Sequence, residues 1–415
     1  MKYLQILLIL MIGFGGCKQP KQTAIVENFE NQAQTLEKPY VIMVSMDGFR
    51  YDYAEKYEAK NILRLASEGV SAESMIPSFP SSTFPNHYTL ATGLYPQNHG
   101  LVYNTFYDKT RGEMYKISDR EKVEDGSWYG GTPLWVLAVK QGMASASYFW
   151  VGSEAAIQGI RPVYYFAYDS SGPNRQRVDQ VIEWLKLPEQ NRPHFITLYF
   201  SDVDSKGHSY GPEAPETKAA VQALDEEIGN LDRRVSELGL PVNIILVSDH
   251  GMYPVDTENP VFPEDEVNIS DFTIAKGSAI WMLYSNDTSR VKETYLQLKA
   301  VEKDRYHTYL RKEVPAHLHY NQNPLIGDLV LIANPPNILT SQNFHNNPGQ
   351  HGYDPTTTPE VGAIFYAKGP AFRKGLKIPP FENVNVYPLV AKILGLEITD
   401  SIDGDLSVLD SVLVK

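Results

Sequence analysis

An α/β fold is expected, built on a central, mostly parallel sheet flanked by helices on both faces, with a smaller inserted subdomain. Three observations predict it. Short continuous apolar runs such as YVIMVSM (Tyr40–Met46) suit strands buried on both faces. These runs alternate along the chain with amphipathic helical patterns, as parallel strands joined by helical crossovers do. The alternation breaks down from about Asp256 to Asn347, which marks an insertion at about 256–347.

Tyr40–Met46 is the first firm strand. NILRLASE (Asn61–Glu68) predicts a helix stopped by Gly69, and Asn86–Ala91 has a helical pattern. Thr132–Gln141 predicts another helix, with Thr132 as N-cap, Pro133 at the first helical position and Gly142 as the stop. A strand near Ala144–Phe149 follows, then a helix around Asn174–Leu185 and a strand at His194–Ser201. Glu216–Leu238 is a long helix with apolar positions at Ala220, Leu224, Ile228, Leu231 and Leu238. Val242–Ser248 is another buried strand. Ala279–Tyr284, Leu329–Ile332 and Val361–Ala367 are further strands, and a helix lies near Tyr387–Leu394.

Residues 1–16 read as a signal peptide. Lys2 precedes an apolar run from Tyr3 to Ile12 of about ten residues, where a bilayer span needs about 20. Cys17 is the single cysteine, so an internal disulfide is excluded. It follows Gly15-Gly16 and resembles the lipidated cysteine of a bacterial lipobox, although Phe14 stands where Leu is usual. Residues 17–38 are polar and lack a sustained apolar period, as a tether would. The expectation is export to a bacterial cell envelope, periplasm or outer surface, with membrane attachment through lipidated Cys17.

The net charge of −13 argues against a binder of nucleic-acid duplexes, which relies on basic residues to neutralise phosphates. Small phosphate-bearing substrates remain open, since bound cations supply positive charge locally. No protein partner is inferred.

Three strand ends carry acids: Asp47 after VIMVSM, Asp204 beyond ITLYFS and Asp249 after IILVS. Ligands gather at the carboxyl ends of strands in such sheets. Three carboxylates delivered to one edge repel one another unless cations sit between them. Histidines accompany them. His208 follows Asp204 by four residues across a Gly turn, His250 adjoins Asp249, and His351 sits between glycines in Gly349-Gln350-His351-Gly352. Three Asp and three His are enough for two zinc sites of three protein ligands each, with open positions for water or substrate. The mixed Asp/His set suits zinc, where an all-oxygen set suits magnesium or calcium. For His87, His99, His194, His307, His317, His319 and His345 a surface or hydrogen-bonding role is expected.

A nucleophile is expected in Ser81-Ser82-Thr83, just before a helical pattern, where a hydroxyl meets the unpaired N–H groups of a helix start. Composition does not rank the three.

The run TFPNHYTLATGLYPQNHG (Thr83–Gly100), with MDGFR (Met46–Arg50), DSKGHSYGP (Asp204–Pro212), SDHGM (Ser248–Met252) and GQHGYD (Gly349–Asp354), resembles the nucleotide pyrophosphatase/phosphodiesterase family of the alkaline phosphatase superfamily. Order and spacing hold from residue 40 to about 395. The resemblance implies an alkaline-phosphatase-like catalytic domain at 39–415 with two zinc ions. One would be held by Asp204, His208 and His351, the other by Asp47, Asp249, His250 and the Thr83 oxygen. It singles out Thr83 as nucleophile. Asn104, in VYNTFYD, would bond a non-bridging phosphate oxygen together with the Thr83 backbone N–H. Phe84 and Tyr168 would sandwich a base, with Trp150 and Glu154 at neighbouring pocket positions. Glu154 departs from the Asp common there. The implied activity is zinc-dependent hydrolysis of nucleotide phosphodiester or pyrophosphate bonds, releasing nucleoside 5′-monophosphates through a covalent threonine intermediate. The competing expectation keeps the two-zinc core but acts on monoesters, phospholipid head groups or phosphonates.

Overall fold

Alternation within single strands decides the architecture. In Tyr40–Met46, Val41 and Met43 enter one apolar core while Ile42, Val44 and Met46 enter another. Val242–Val247 divides in the same way, with Ile245 and Val247 on one side and Ile244 and Leu246 on the other. A strand whose two faces are both apolar needs a layer of helices above and below it. The computed structural model, which describes residues 23–24, 29–342 and 345–415, supplies both layers. One face receives Thr83–Thr92, Leu134–Lys140 and Val386–Leu394; the other receives Lys60–Ser67, Asn174–Leu185 and Pro215–Glu237.

The main sheet runs Thr23–Ala24, Tyr164–Tyr165, Ser145–Tyr148, Phe195–Phe200, Tyr40–Met46, Val242–Val247, Phe365–Lys368, Val70–Ala72, Leu376–Ile378. Pairing is parallel from Tyr164–Tyr165 across to Val242–Val247. Phe365–Lys368 is antiparallel to both its neighbours. The expected Val361–Ala367 strand starts late because Pro359–Val361 forms a 3-10 turn.

In Pro215–Glu237 the buried stripe is Val221, Leu224, Ile228, Leu231 and Val235. The expected ends of the stripe, Ala220 and Leu238, are only partly buried against that core. Asp225 on this helix accepts from the N–H groups of Asn61 and Ile62, capping the neighbouring Lys60–Ser67 helix from outside. Thr132 does not cap the next helix. Pro133 is its extended N-cap, and the Thr132 hydroxyl donates instead to Asp400.

Between Val242–Val247 and Phe365–Lys368 the chain builds a second, antiparallel sheet of Thr273–Lys276, Ile280–Tyr284, Leu329–Ala333 and Tyr306–Leu310. Trp281, Leu283, Leu329 and Leu331 pack with Leu298 of the Thr288–Val301 helix. The opposite face (Ile280, Met282, Val330, Ile332) joins one of the main cores.

Residues 1–22, with the expected signal peptide and Cys17, lie outside the described residues. The last part of the expected tether does not hang free. Asn31 is buried, accepts from Ala144 N–H at 2.7 Å and donates to the carbonyls of Glu189 and Arg192. Polar groups paired with loop backbone leave no apolar period, so this docking is silent in the sequence. No helix among the described residues is long and apolar enough to cross a membrane.

Leu246 is fully buried in a central strand. Leu246→Ala is expected to cost about 2–5 kcal/mol, measured by denaturant unfolding; a loss below about 1 kcal/mol would contradict this packing.

Candidate active site and metal centre

Phe195–Phe200, Tyr40–Met46 and Val242–Val247 are adjacent and parallel, so their carboxyl ends share one edge of the sheet. Asp47 and Asp249 leave two of these ends. Asp204 stands on the Asp202–Tyr210 helix that follows the third. The segment from Asp204 to His208 is thus helical, not a Gly turn, and the four-residue spacing puts carboxylate and imidazole on one helix face. Gly48 makes the convergence feasible. Its φ is +66°, and a Cβ there would lie 2.8 Å from Asp204 Cα.

The predicted ligands come together. Asp47, Asp249 and His250 form one group with donor atoms within 4.8 Å of one another; Asp204, His250 and His351 form an adjoining one. His250 Nε2 lies 2.9 Å from Asp249 Oδ2 and 3.7 Å from Asp47 Oδ1. His208 Nε2 lies 3.1 Å from His351 Nε2 and 3.4 Å from Asp204 Oδ1. The His250 and His351 rings stack at 3.5 Å, which joins the two halves.

Each imidazole is oriented from behind. His208 Nδ1 donates to Gly349 O, His250 Nδ1 to Gly251 O and His351 Nδ1 to Ser81 O, at 2.8–2.9 Å. A carbonyl only accepts, so the proton sits on Nδ1 and every Nε2 turns a lone pair inward. Two such lone pairs 3.1 Å apart, on His208 and His351, call for a cation between them. So do the buried Asp47 Oδ1, Asp204 Oδ1 and Asp249 Oδ2, none of which has a hydrogen-bond partner. These residues fit bound metal.

The electrostatics agree. Burial, then Asp249 and Asp204, push the Asp47 carboxyl well above the usual range. Burial and the neighbouring His250 and His208 drive His351 well below its ordinary value. Burial opposes the charge on Asp249, but His250 and His87 outweigh it and hold that carboxyl low. A metal ion takes the place of protons in such a cluster.

Thr83 opens the Thr83–Thr92 helix, with Oγ1 3.3 Å from His250 Nε2. In this first turn Ser82 gives no side-chain cap, Pro85 has no N–H, and Phe84 N–H is taken by Asn104 Oδ1 at 2.9 Å. Thr83 N–H is the donor left over. Asn104, with its oxygen engaged, keeps its Nδ2 as a donor. His87 has the expected hydrogen-bonding role, in full burial. It donates from Nδ1 to Thr83 O and accepts from Ser45 Oγ. The close approach around His351 differs from expectation. A Cβ on Gly349 would lie 2.1 Å from Gly207 O, so this glycine admits protein backbone, not ligand.

A cavity of about 270 Å³ opens beside Thr83 and Asp47, and Phe84, Trp150, Glu154 and Tyr168 all line it. Trp150 is fixed by donating to His87 O. Tyr168 is exposed and lies edge-on to Phe149 and Tyr199.

Sequence reasoning missed two residues here. Tyr199 donates to Asp47 Oδ2 at 2.5 Å, and Arg120 pairs with both Glu154 and Glu124. The available signals were a tyrosine near the end of an apolar strand and a carboxylate at an otherwise apolar pocket position, which needs a cation when buried.

Side chains that could hold a metal at the carboxyl edge of parallel strands, facing a hydroxyl on a helix start, define an alkaline-phosphatase-like enzyme. The chain belongs to the type I phosphodiesterase/nucleotide pyrophosphatase family, whose model matches residues 41–354. It is 34% identical over 392 residues to an uncharacterized pyrophosphatase/phosphodiesterase of Schizosaccharomyces pombe, covering 90% of this chain and 80% of that protein. It is 35% identical over 378 residues to ectonucleotide pyrophosphatase/phosphodiesterase family member 1 of Rattus norvegicus, covering 87% of this chain. There it spans only 41% of the relative's length. The solved structure of murine family member 5, in an inactive threonine-to-alanine form complexed with AMP, superposes with a TM-score of 0.86 at 27% identity. The match covers 91% of this chain and all of that one.

Tyr199→Phe removes the bond that orients Asp47 and is expected to lower divalent-metal affinity by about 10–100-fold. Chelator competition measures it, and wild-type affinity in the variant would remove Tyr199 from this role.

Proposed function

We propose that this enzyme hydrolyses phosphodiester or pyrophosphate bonds of nucleotides and releases nucleoside 5′-monophosphates through a covalent intermediate on Thr83. One observation carries the reading: the Thr83 hydroxyl borders both the ligand cluster and the aromatic-walled cavity. The AMP complex of the murine relative, inactive with alanine in place of a threonine, supports it.

Two zinc ions are proposed, one on Asp204, His208 and His351, the other on Asp47, Asp249, His250 and the Thr83 oxygen. The mixed imidazole and carboxylate donors suit zinc. Bound zinc supplies Lewis-acid charge that makes a hydroxyl acidic and offsets charge on phosphoryl oxygens.

The protein's own groups do the positioning. Phe84 and Tyr168 flank the base, and Trp150, anchored through its indole N–H, forms the cavity wall. Thr83 N–H and Asn104 Nδ2 bind a non-bridging phosphoryl oxygen, where charge builds during attack. Thr83 Oγ1 forms a bond to phosphorus as the bond to the leaving oxygen breaks on the opposite face. Water then cleaves the nucleotidyl-threonine ester and regenerates the hydroxyl. Two in-line displacements give net retention at phosphorus. The charge of Arg120, the cation that lines this cavity among the described residues, is offset by Glu154 and Glu124, which suits it less to the extra oxygens of a monoester. That favours diesters. The likeness to an ectonucleotide pyrophosphatase/phosphodiesterase supports export; anchoring through Cys17 is part of this proposal.

Thr83→Ala is expected to keep its metal content by elemental analysis and to lose about 10³-fold or more in turnover; near-normal turnover would remove Thr83 as nucleophile. A chiral phosphorothioate diester should be hydrolysed with retention, and inversion would exclude the covalent intermediate. A nitrophenyl phosphate monoester turned over faster than the matching nucleotide diester would favour the competing reading.

A further inference from the structure

The peptide unit that joins Thr83 to Phe84 is gripped at both ends. Its N–H donates to Asn104 Oδ1 at 2.9 Å, and its carbonyl, Thr83 O, accepts from His87 Nδ1 at 2.9 Å. A backbone N–H only donates and a carbonyl only accepts, so each bond fixes its partner. The Asn104 amide turns its oxygen to Phe84 and keeps Nδ2 for another acceptor. The His87 proton sits on Nδ1, which leaves Nε2 as an acceptor, and Ser45 Oγ donates to it at 2.7 Å. Ser45 is fully buried in Tyr40–Met46, the central strand of the main sheet.

His87 itself is locked. It is fully buried, and its ring lies edge-on to Trp150 at 5.1 Å and to Tyr199 at 5.3 Å. Trp150 Nε1 donates to the His87 carbonyl at 2.9 Å, so neither ring turns without disturbing the other. His87 Nδ1 also lies 3.5 Å from Asp249 Oδ2. A buried imidazole costs stability unless both nitrogens are paired, and here both are.

Resting on the diester reading above, we propose that His87 is a positioning residue in a one-way chain of hydrogen bonds that ends on the phosphoryl oxygen. Ser45 donates to His87, His87 to the Thr83 carbonyl, the Phe84 N–H to Asn104, and Asn104 Nδ2 to the substrate. Hydrogen bonds in series polarise one another, each strengthened by roughly 10–30%. The chain therefore sharpens the Asn104 donor as negative charge builds on that oxygen. It also holds the peptide plane next to Thr83, and with it the direction of the nucleophile, from the rigid centre of the sheet.

The test measures kcat/KM in excess zinc on two diesters, the nitrophenyl ester of a nucleoside 5′-monophosphate and bis-nitrophenyl phosphate, which has no base. His87→Leu stays apolar against Trp150 and Tyr199 but has no N–H. It is expected to lower kcat/KM about tenfold on both diesters alike, the scale of one hydrogen bond. His87→Asn, whose amide N–H stands in for Nδ1–H, should recover most of the loss. In an Asn104→Ala background, where the chain has no end, His87→Leu should cost less than about twofold. Ser45→Ala, which removes only the first link, should give a smaller loss that Asn104→Ala masks in the same way. Three outcomes would each overturn the chain. A loss undiminished in Asn104→Ala would make His87 a packing residue, and a loss confined to the nucleoside ester would make it cavity wall. A loss seen at stoichiometric zinc but abolished by excess would make it a support for Asp249. Wild-type turnover of the base-free diester alone would instead overturn the nucleotide reading and leave the chain standing.

Discussion

Three carboxylates forced together out of water govern this protein. Asp47 and Asp249 are buried at the ends of adjacent strands, with Asp204 facing them, and each leaves an oxygen unpartnered. Like charges at that distance do not stay ionised together unless cations separate them. Other features serve this crowding. Gly48 gives up a side chain so that Asp204 can approach, and three backbone carbonyls turn three imidazole lone pairs inward. Tyr199 takes the outer oxygen of Asp47 so that only the inner one faces the cluster. The sheet supplies rigidity. Its central strands are fully buried, and a shift of one residue in register would turn their side chains to the opposite faces.

The work around the cluster is divided between two parts of the fold. The first turn of the Thr83–Thr92 helix and the loops near Trp150 build the aromatic cavity. The inserted sheet, through Lys276 and Trp281, lines a separate cavity of about 460 Å³ with the Asp202–Tyr210 helix. Asp204 and Ser205 belong to both walls.

Most of this was legible because strand ends and short spacings are local. Asp47, Asp249 and His250 follow directly from where apolar runs stop, and the order of strands at the sheet centre makes their convergence real. What stayed hidden depends on long-range pairing. No pattern near Thr132 announces Asp400 as its partner, and none near Asn31 announces the loop at Glu189–Arg192. The Gly in Asp204–His208 suggested a turn, whereas its absent side chain makes room for Met252, 3.0 Å from where a Cβ would sit. Ser81, Ser82 and Thr83 could not be ranked from composition. In the fold Ser81 is spent on the Tyr353 carbonyl and the Gly352 N–H, and Thr83 alone contacts His250.

The candidate ligand set also spans the chain, from Asp47 at the end of the central strand of the main sheet to His351 beyond the inserted one. With a single cysteine this protein has no internal disulfide with which to staple itself. Metal bound at the cluster would act as a cross-link of another kind. It closes loops between segments about 300 residues apart and so removes freedom from the unfolded chain. The same ions would then lend the fold mechanical cohesion, and losing them would loosen the insertion from the sheet that carries it.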